Sequence, residues 1–439
     1  MYVKVEYIFL ILFIVIVNYL IGIRIEKAHS KKLQMFFLNV SVFVSLGILI
    51  FFKYWNFLIG NFFDFLGLVH LKSVTSIPLI IQVALPLGLS YYIFQTIGYT
   101  VDVYRGSIRA EKSFSRFSLF TLFFPKLLVG PIERANHFLP QLSRSIYFDK
   151  QSIIDGAKRV AWGLFKKLVV ADRISIYHST VIASAEYESG STLLFASVLY
   201  TFQVYADFSG YTDIALGTAK MFGFDLMENF KRPLLAKSVS DFWRRWHISL
   251  SSWVNDYIFN PIVLKKRDWG IWGVFYGLLI SFVVIGIWHG AAWNYVLFGL
   301  LQAFALIYET VTKKVRKKIA KRTNKTFYNT VSILITFLFV TFSLIIFQSA
   351  TVNDAVTIVK GVFFNSGSLF IYDPPQLIFM LIGCVIIMAC DIQSEFQAFP
   401  FSVFSNNNWV VQQLSYGFLL IYILLAGVFD GGQFIYFAF

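Results

Sequence analysis

Apolar residues run along this chain in long charge-free blocks, not at the spacing of half-buried soluble helices. Tyr7 to Ile23, Leu33 to Phe52, Ser73 to Val101, Gly270 to Tyr308, Thr326 to Asn353, Pro374 to Cys390 and Phe396 to Phe429 make up the set. A bilayer core takes about 20 apolar residues as a helix. The blocks therefore predict spans near 7–23, 33–52, 77–101, 270–288, 291–310, 327–348, 375–391 and 410–429. Two further segments, 160–182 and 192–216, are apolar but carry charges and bring the expected number to about ten. The fold class is all-α, a single polytopic membrane domain over residues 1–439.

Two stretches are too broken to cross. Phe117 to Ile132 is apolar but interrupted by Pro125, Lys126, Gly130 and Pro131, with basic flanks on both sides. A re-entrant segment over 117–132 fits, since irregular backbone at membrane depth needs protein or a water-filled cavity around it. In 238–259, Phe242, Trp246, Leu250, Trp253 and Tyr257 fall on one helical stripe, and Arg244, His247 and Ser251 on another. Ser238 and Asp241 have the spacing of a capping box. An amphipathic helix at the cytoplasmic face is expected there.

Composition settles the solvent. Hydrophobic residues are 57% of the chain, aromatics 19% and charged residues only 14%, against roughly a quarter charged in a soluble domain. This excludes a soluble enzyme, a disordered chain and a disulfide scaffold. The formal charge of +14 reads as a topology record through the excess of Lys and Arg in cytoplasmic loops. Arg24, Lys27, Lys31 and Lys32 follow the first span, so the N-terminus is expected outside the cytoplasm and a cleavable signal peptide is not expected. Lys313 to Lys325 holds eight basic residues and no acid. The loop 393–409 should also be cytoplasmic, yet carries no Lys or Arg. Basic loops of this kind need no nucleic-acid partner; the lipid bilayer is the surrounding partner.

Candidate chemistry is sparse. Cys384 and Cys390 lie on an apolar helix without zinc spacing, and neither a phosphate-binding glycine loop nor a Gly-x-Ser-x-Gly elbow occurs. No bound metal or cofactor is expected. His289 sits within the 39 residues Gly270–Tyr308, which contain no Asp, Glu, Lys or Arg. A histidine at membrane depth is either a functional group or a core residue bonded to a carbonyl. His247 stands among Arg244, Arg245, Trp243 and Trp246. In Tyr205–Asp213, Asp207, Ser209, Tyr211 and Asp213 form either the polar wall of a cavity or a set of interhelical hydrogen bonds.

Asp-Phe-Trp-Arg-Arg-Trp-His-Ile-Ser-Leu-Ser (241–251), with Glu-Asn-Phe-Lys-Arg-Pro (228–233) before it, and Gly-Ile-Trp-His-Gly-Ala-Ala-Trp-Asn (286–294) resemble the membrane-bound O-acyltransferase family. Residues 207–215, 123–132 and the closing 434–439 resemble its bacterial branch, which serves alginate O-acetylation, peptidoglycan O-acetylation and teichoic-acid D-alanylation. The resemblance implies helices around a tunnel or funnel, with His289 at the catalytic position and His247 at the second functional one. Asp207, Ser209, Tyr211, Asp213, Trp243, Arg244, Arg245, Trp246, Trp288 and Asn294 are then candidate tunnel or substrate-binding residues. It also implies a cytoplasmic thioester donor, acetyl-CoA or an acyl carrier protein, and a multi-pass place in the bacterial cytoplasmic membrane. A periplasmic or extracellular acyltransferase partner would pass the acyl group to polysaccharide. His289 would act as general base or transient acyl acceptor, and His247 would orient or polarise the thioester carbonyl. Asn260–Arg267 lacks the glycine-rich turn that usually follows in alginate-type members, and Lys126 stands where a neutral or His side chain is more usual. The alternatives are D-alanyl transfer to teichoic acid and a non-enzymatic polysaccharide export component.

Overall fold

Where described, the apolar blocks are predominantly helical. The computed structural model describes residues 7–68, 86, 88–371, 373–397 and 408–429. Seven helices among them are long and apolar enough to cross a bilayer: Tyr7–Lys27, Lys31–Gly67, Ile271–His289, Trp293–Arg322, Lys325–Gln348, Pro374–Phe396 and Trp409–Ala426. The other three expected spans are also helical where described: Leu89–Arg105, the run from Lys150 through Ala183, and Gly190–Met221. The beginning of the 77–101 span and the closing 434–439 lie outside the described residues. No strand occurs among the described residues. Outward-facing positions are apolar, Phe9, Phe43, Phe62, Leu334 and Leu424 among them, which suits hydrocarbon and would be costly in water. The chain is an all-helical polytopic membrane protein.

The second helix runs past its expected end. The apolar window stops at Phe52 because Lys53 carries a charge, yet the backbone stays helical to Leu68 through a π turn at Ile50–Tyr54. A second π turn, Phe165–Ala171, lies within the 150–183 run. Single π turns inside α-helices often mark functional positions.

The chain forms two compact units, Met1–Ile146 with Ile287–Ala292, and Tyr147–Gly286 with Trp293–Phe439. In the first, buried polar side chains join three helices. Asn18 Nδ2 donates to Ser45 Oγ at 3.3 Å, Ser41 Oγ donates to Asn18 Oδ1 at 2.5 Å, and Ser41 and Thr100 hydroxyls lie 3.1 Å apart. Such bonds hold helices together where both sides are apolar. The segment expected to re-enter is helical over Phe114–Leu122, breaks at Phe123 and makes one 3-10 turn at Phe124–Lys126. Lys126 is wholly buried, donates to Gln95 Oε1 at 2.6 Å and lies over the rings of Phe120 and Phe138.

The second unit is organised by a glycine-lined crossing of Lys150–Leu164 on Gly190–Met221. A Cβ on Gly156 would fall 2.5 Å from the Gly217 carbonyl oxygen, and one on Gly163 would fall 2.5 Å from that of Gly210. Only hydrogen at these positions lets the backbones approach so closely.

The amphipathic helix expected over 238–259 is not one helix. Ser238 caps it, its Oγ accepting Asp241 N at 3.1 Å, but Asp241 Oδ2 accepts the Lys237 N–H, so the reciprocal half of a capping box is displaced by one residue. The helix ends at Arg245 and restarts at Ile248. His247 between them has φ +45°, the left-handed region. The break is held by main-chain bonds to the 229–231 loop: Lys231 N donates to Arg245 O and Ile248 N donates to Asn229 O. It replaces the expected continuous stripe of Arg244, His247 and Ser251 by an exposed Arg244 and a wholly buried His247.

Candidate functional site

In the first unit, His289 is the last residue of Ile271–His289 and is buried. The final carbonyls of a helix have no intrahelical partner. Here two consecutive residues of the Ile50–Tyr54 turn satisfy them. Lys53 Nζ donates to Trp288 O at 2.6 Å and to His289 O at 3.1 Å, and Tyr54 OH donates to Ile287 O at 2.7 Å. A cation at this end also complements the helix dipole. The Trp288 indole packs against Tyr91 and Phe94, ring centroids 5.5 and 5.7 Å away, and against the His289 ring at 5.0 Å. The imidazole thus leaves a helix terminus fixed both along its backbone and at its neighbour. Lys53 and Tyr54 were not among the expected site residues. The available signal was that Lys53 is the one charged residue between Lys32 and Asp64.

In the second unit, His247 is built around Asn229. Asn229 Oδ1 accepts Ser249 N at 3.0 Å and Ser249 Oγ at 2.9 Å, and lies 3.2 Å from His247 Nδ1. A backbone N–H can only donate, so the Asn229 atom facing it is the oxygen. Nδ1 of His247 must then carry the hydrogen that reaches this oxygen, so whenever the ring is neutral Nε2 is its acceptor nitrogen. The edge of Phe208 packs on the imidazole at 4.7 Å, and Trp246 stacks on Phe242 at 5.5 Å.

Phe208 and His247 are each followed by a residue that lines a cavity of about 1280 Å³, Ser209 and Ile248. Trp162, Ile386 and Phe418 supply apolar walls, while Lys158, Lys231 and Arg232 bring basic groups. Ser209 Oγ and Thr212 Oγ1 are buried and have no hydrogen-bond partner among the described residues. Desolvated hydroxyls without partners are costly, and both face the site on one helix, one turn apart.

The aspartates of 207–213 take up both readings left open. Asp207 Oδ1 receives Lys167 Nζ at 2.7 Å, and the same ammonium lies 2.8 Å from Asp172 Oδ1. Asp213, which also lines the cavity, receives Lys166 Nζ at 2.7 Å and Arg159 Nε at 3.0 Å. Lys166 and Lys167 both come from the second π turn. Buried charges persist only when paired, so these carboxylates hold the helices together. Tyr211 is buried on the same helix. Arg245 meets Asp241 at 3.1 Å and Glu395 at 2.9 Å; hydrogen bonding to Glu395 foremost pushes its pKa up. Trp243 Nε1 donates to Gln302 Oε1 at 3.1 Å. Asn294 Nδ2 donates to Ser349 O at 2.7 Å, satisfying the end of Lys325–Gln348.

One unit of this helical membrane fold thus buries a histidine at a helix end, and the other buries a histidine held by an asparagine beside a large cavity. The chain belongs to the membrane-bound O-acyltransferase family, whose model matches residues 58–353. It is 33% identical over 363 residues to a probable alginate O-acetylase of Pseudomonas putida, covering 82% of this chain and 71% of that protein. It is 29% identical over 387 residues to a peptidoglycan O-acetyltransferase of Helicobacter pylori, covering 82% of this chain and 70% of that one. A teichoic acid D-alanyltransferase of Bacillus subtilis is 29% identical over 282 residues, 60% of this chain and 68% of its own length. The chain spans between 56% and 71% of the length of the alginate-type relatives it matches.

Proposed function

We propose that this protein moves an acyl group, acetyl in the first instance, from a cytoplasmic thioester to an extracytoplasmic polysaccharide, with a secreted or periplasmic partner completing the transfer. The observation that carries this reading is His289, buried at a helix end and anchored through its own carbonyl. Its imidazole would remove the proton from an incoming hydroxyl. The oxygen then attacks the thioester carbonyl, the C–S bond breaks, and the thiol leaves with the proton returned by the imidazole. No metal is needed, because a thioester is already activated. His247, with Nδ1–H directed at Asn229, offers Nε2 as an acceptor and would orient the donor or take its proton.

The cavity beside His247 suits the donor's chain. A pantetheine arm carries amide groups that could satisfy Ser209 and Thr212 between apolar walls, with its phosphate near Lys158, Lys231 and Arg232. The alginate and peptidoglycan O-acetylation relatives, which match more of the chain than the D-alanyltransferase does, support acetyl over D-alanyl transfer. The test is purified protein in lipid nanodiscs with labelled acetyl-CoA and a polysaccharide acceptor. Label should move to the acceptor, or exchange into free CoA, and His289→Ala should abolish it while inserting and folding normally. Normal transfer by His289→Ala would remove the role of that residue. Uptake of label only from a D-alanyl carrier protein would support the D-alanylation reading, and no transfer from either donor would favour an export component.

A further inference from the structure

We infer that Lys53 is a positioning residue for His289, setting where the imidazole stands by holding the end of the helix that carries it. This rests on the role proposed for His289. A lysine in a stretch that is otherwise charge-free from Leu33 to Phe63 is costly at membrane depth and needs a compensating partner. Among the described residues no carboxylate pairs with Lys53. Its ammonium is instead spent on main-chain oxygens, those of Trp288 and of His289 itself. Tyr54 takes the preceding carbonyl, of Ile287. Three successive carbonyls are thus fixed by two successive side chains.

The Ile50–Tyr54 π turn explains how this is possible. In a regular α-helix, neighbouring residues point about 100° apart. The widened turn lets Lys53 and Tyr54 serve the same helix terminus. The ammonium also lies 5.8 Å from the centre of the Trp288 ring, so it secures both the main chain and the side chain next to His289. Past His289 the helix stops and Gly290 follows, so nothing on the C-terminal side continues the hydrogen-bond ladder through the histidine. With its carbonyl released, the last turn would fray, and the imidazole would sample positions away from the reacting hydroxyl. A displacement of about 1 Å at a reacting group can cost on the order of 100-fold in rate.

The test uses full-length protein in nanodiscs, comparing wild type with Lys53→Met, Lys53→Arg and Tyr54→Phe. Two quantities are read: hydrogen–deuterium exchange of the peptide covering 285–292, and the kinetics of transfer from labelled acetyl-CoA. Lys53→Met should speed exchange at that helix end and lower kcat by about 10- to 100-fold with the donor KM within about twofold. Lys53→Arg keeps the cation and its donors and should recover part of kcat; Tyr54→Phe should show a smaller change of the same kind. A purely structural Lys53 would lower the yield of folded protein and leave kcat per folded molecule unchanged, which overturns the inference. So would unchanged exchange in Lys53→Met. If Lys53→Met does not fold, Lys53→Arg and Tyr54→Phe decide by the same two readings. Absence of transfer by the wild type would refute the acyltransferase reading on its own, and the anchoring of the helix end would still stand or fall by exchange.

Discussion

Asn229 Oδ1 accepts from three groups of one short segment, and the one at 3.2 Å is Nδ1 of His247. The amide therefore does two jobs. It satisfies the backbone where the helix restarts, and it fixes which nitrogen of a buried imidazole holds the hydrogen. Asn229→Ala removes the acceptor from Ser249 N and His247 Nδ1 together. The expected cost is about 1–3 kcal/mol of stability, read as a lowered Tm in detergent, with loss of acyl transfer. Asn229→Asp keeps an acceptor in place and should fold. Equal stability of Asn229→Ala and wild type would show that the cluster is not structural.

The glycine crossing should tolerate no side chain. Gly163→Leu forces atoms into a space whose nearest neighbour is a backbone oxygen 2.5 Å from even a Cβ, and overpacking of that sort cannot be relieved by rotating a side chain. The expected outcome is loss of monodisperse protein on size exclusion. Gly47→Ala is the control: a Cβ there meets nothing within 4 Å, and its stability should stay within about 1 kcal/mol of wild type.

Lys167 bridges Asp207 and Asp172. Lys167→Met would strand two buried carboxylates, and breaking a buried pair from one side costs about 3–5 kcal/mol. Adding Asp207→Asn should return part of this. A double-mutant cycle by chemical denaturation gives the coupling; strictly additive losses would refute it.

Adjacent arginines should behave differently. The Arg244 side chain is 70% exposed and only approaches Asp241 at 3.5 Å, so Arg244→Ala should change stability by less than about 0.5 kcal/mol. Arg245→Ala removes contacts with Asp241 and Glu395 and leaves Arg232 as the remaining partner of Glu395. Its expected effect is a clearly lower Tm and a smaller loss of stability on adding salt. If Arg244→Ala instead raised the donor KM, that residue would be assigned to phosphate binding.

The helices were legible because hydrocarbon imposes a simple rule, long apolar runs, and the chain obeys it. The family was legible in the blocks around His247 and His289. What sequence could not supply was pairing at a distance. Lys166 and Lys167 lie 47 and 40 residues from the aspartates they meet, and nothing in spacing announces that two adjacent lysines will point at two different carboxylates. The break at His247 was hidden for another reason. Its left-handed backbone depends on main-chain bonds to the 229–231 loop, so a helical stripe drawn through 242–257 looked regular while the chain was not. Lys53 was visible as an isolated charge, but a charge that closes an apolar run reads as the boundary of a span.

Among the described residues three π turns, Ile50–Tyr54, Phe165–Ala171 and Asn255–Phe259, place the protein one step from a different set of inward-facing side chains. A widened turn holds more residues than the α-helical turn it replaces, so removing one amino acid there need not unwind the helix. Because the turn absorbs the extra residue, side chains beyond it keep their facing and those within it are re-aimed. At Ile50–Tyr54 such a deletion would turn the ammonium away from the carbonyls beside His289, and at Phe165–Ala171 it would change which aspartate each lysine can reach. Relatives that have lost or gained a residue at these turns would therefore keep their helices while presenting a different set of side chains to the interior, a route to altered chemistry that conserves the architecture.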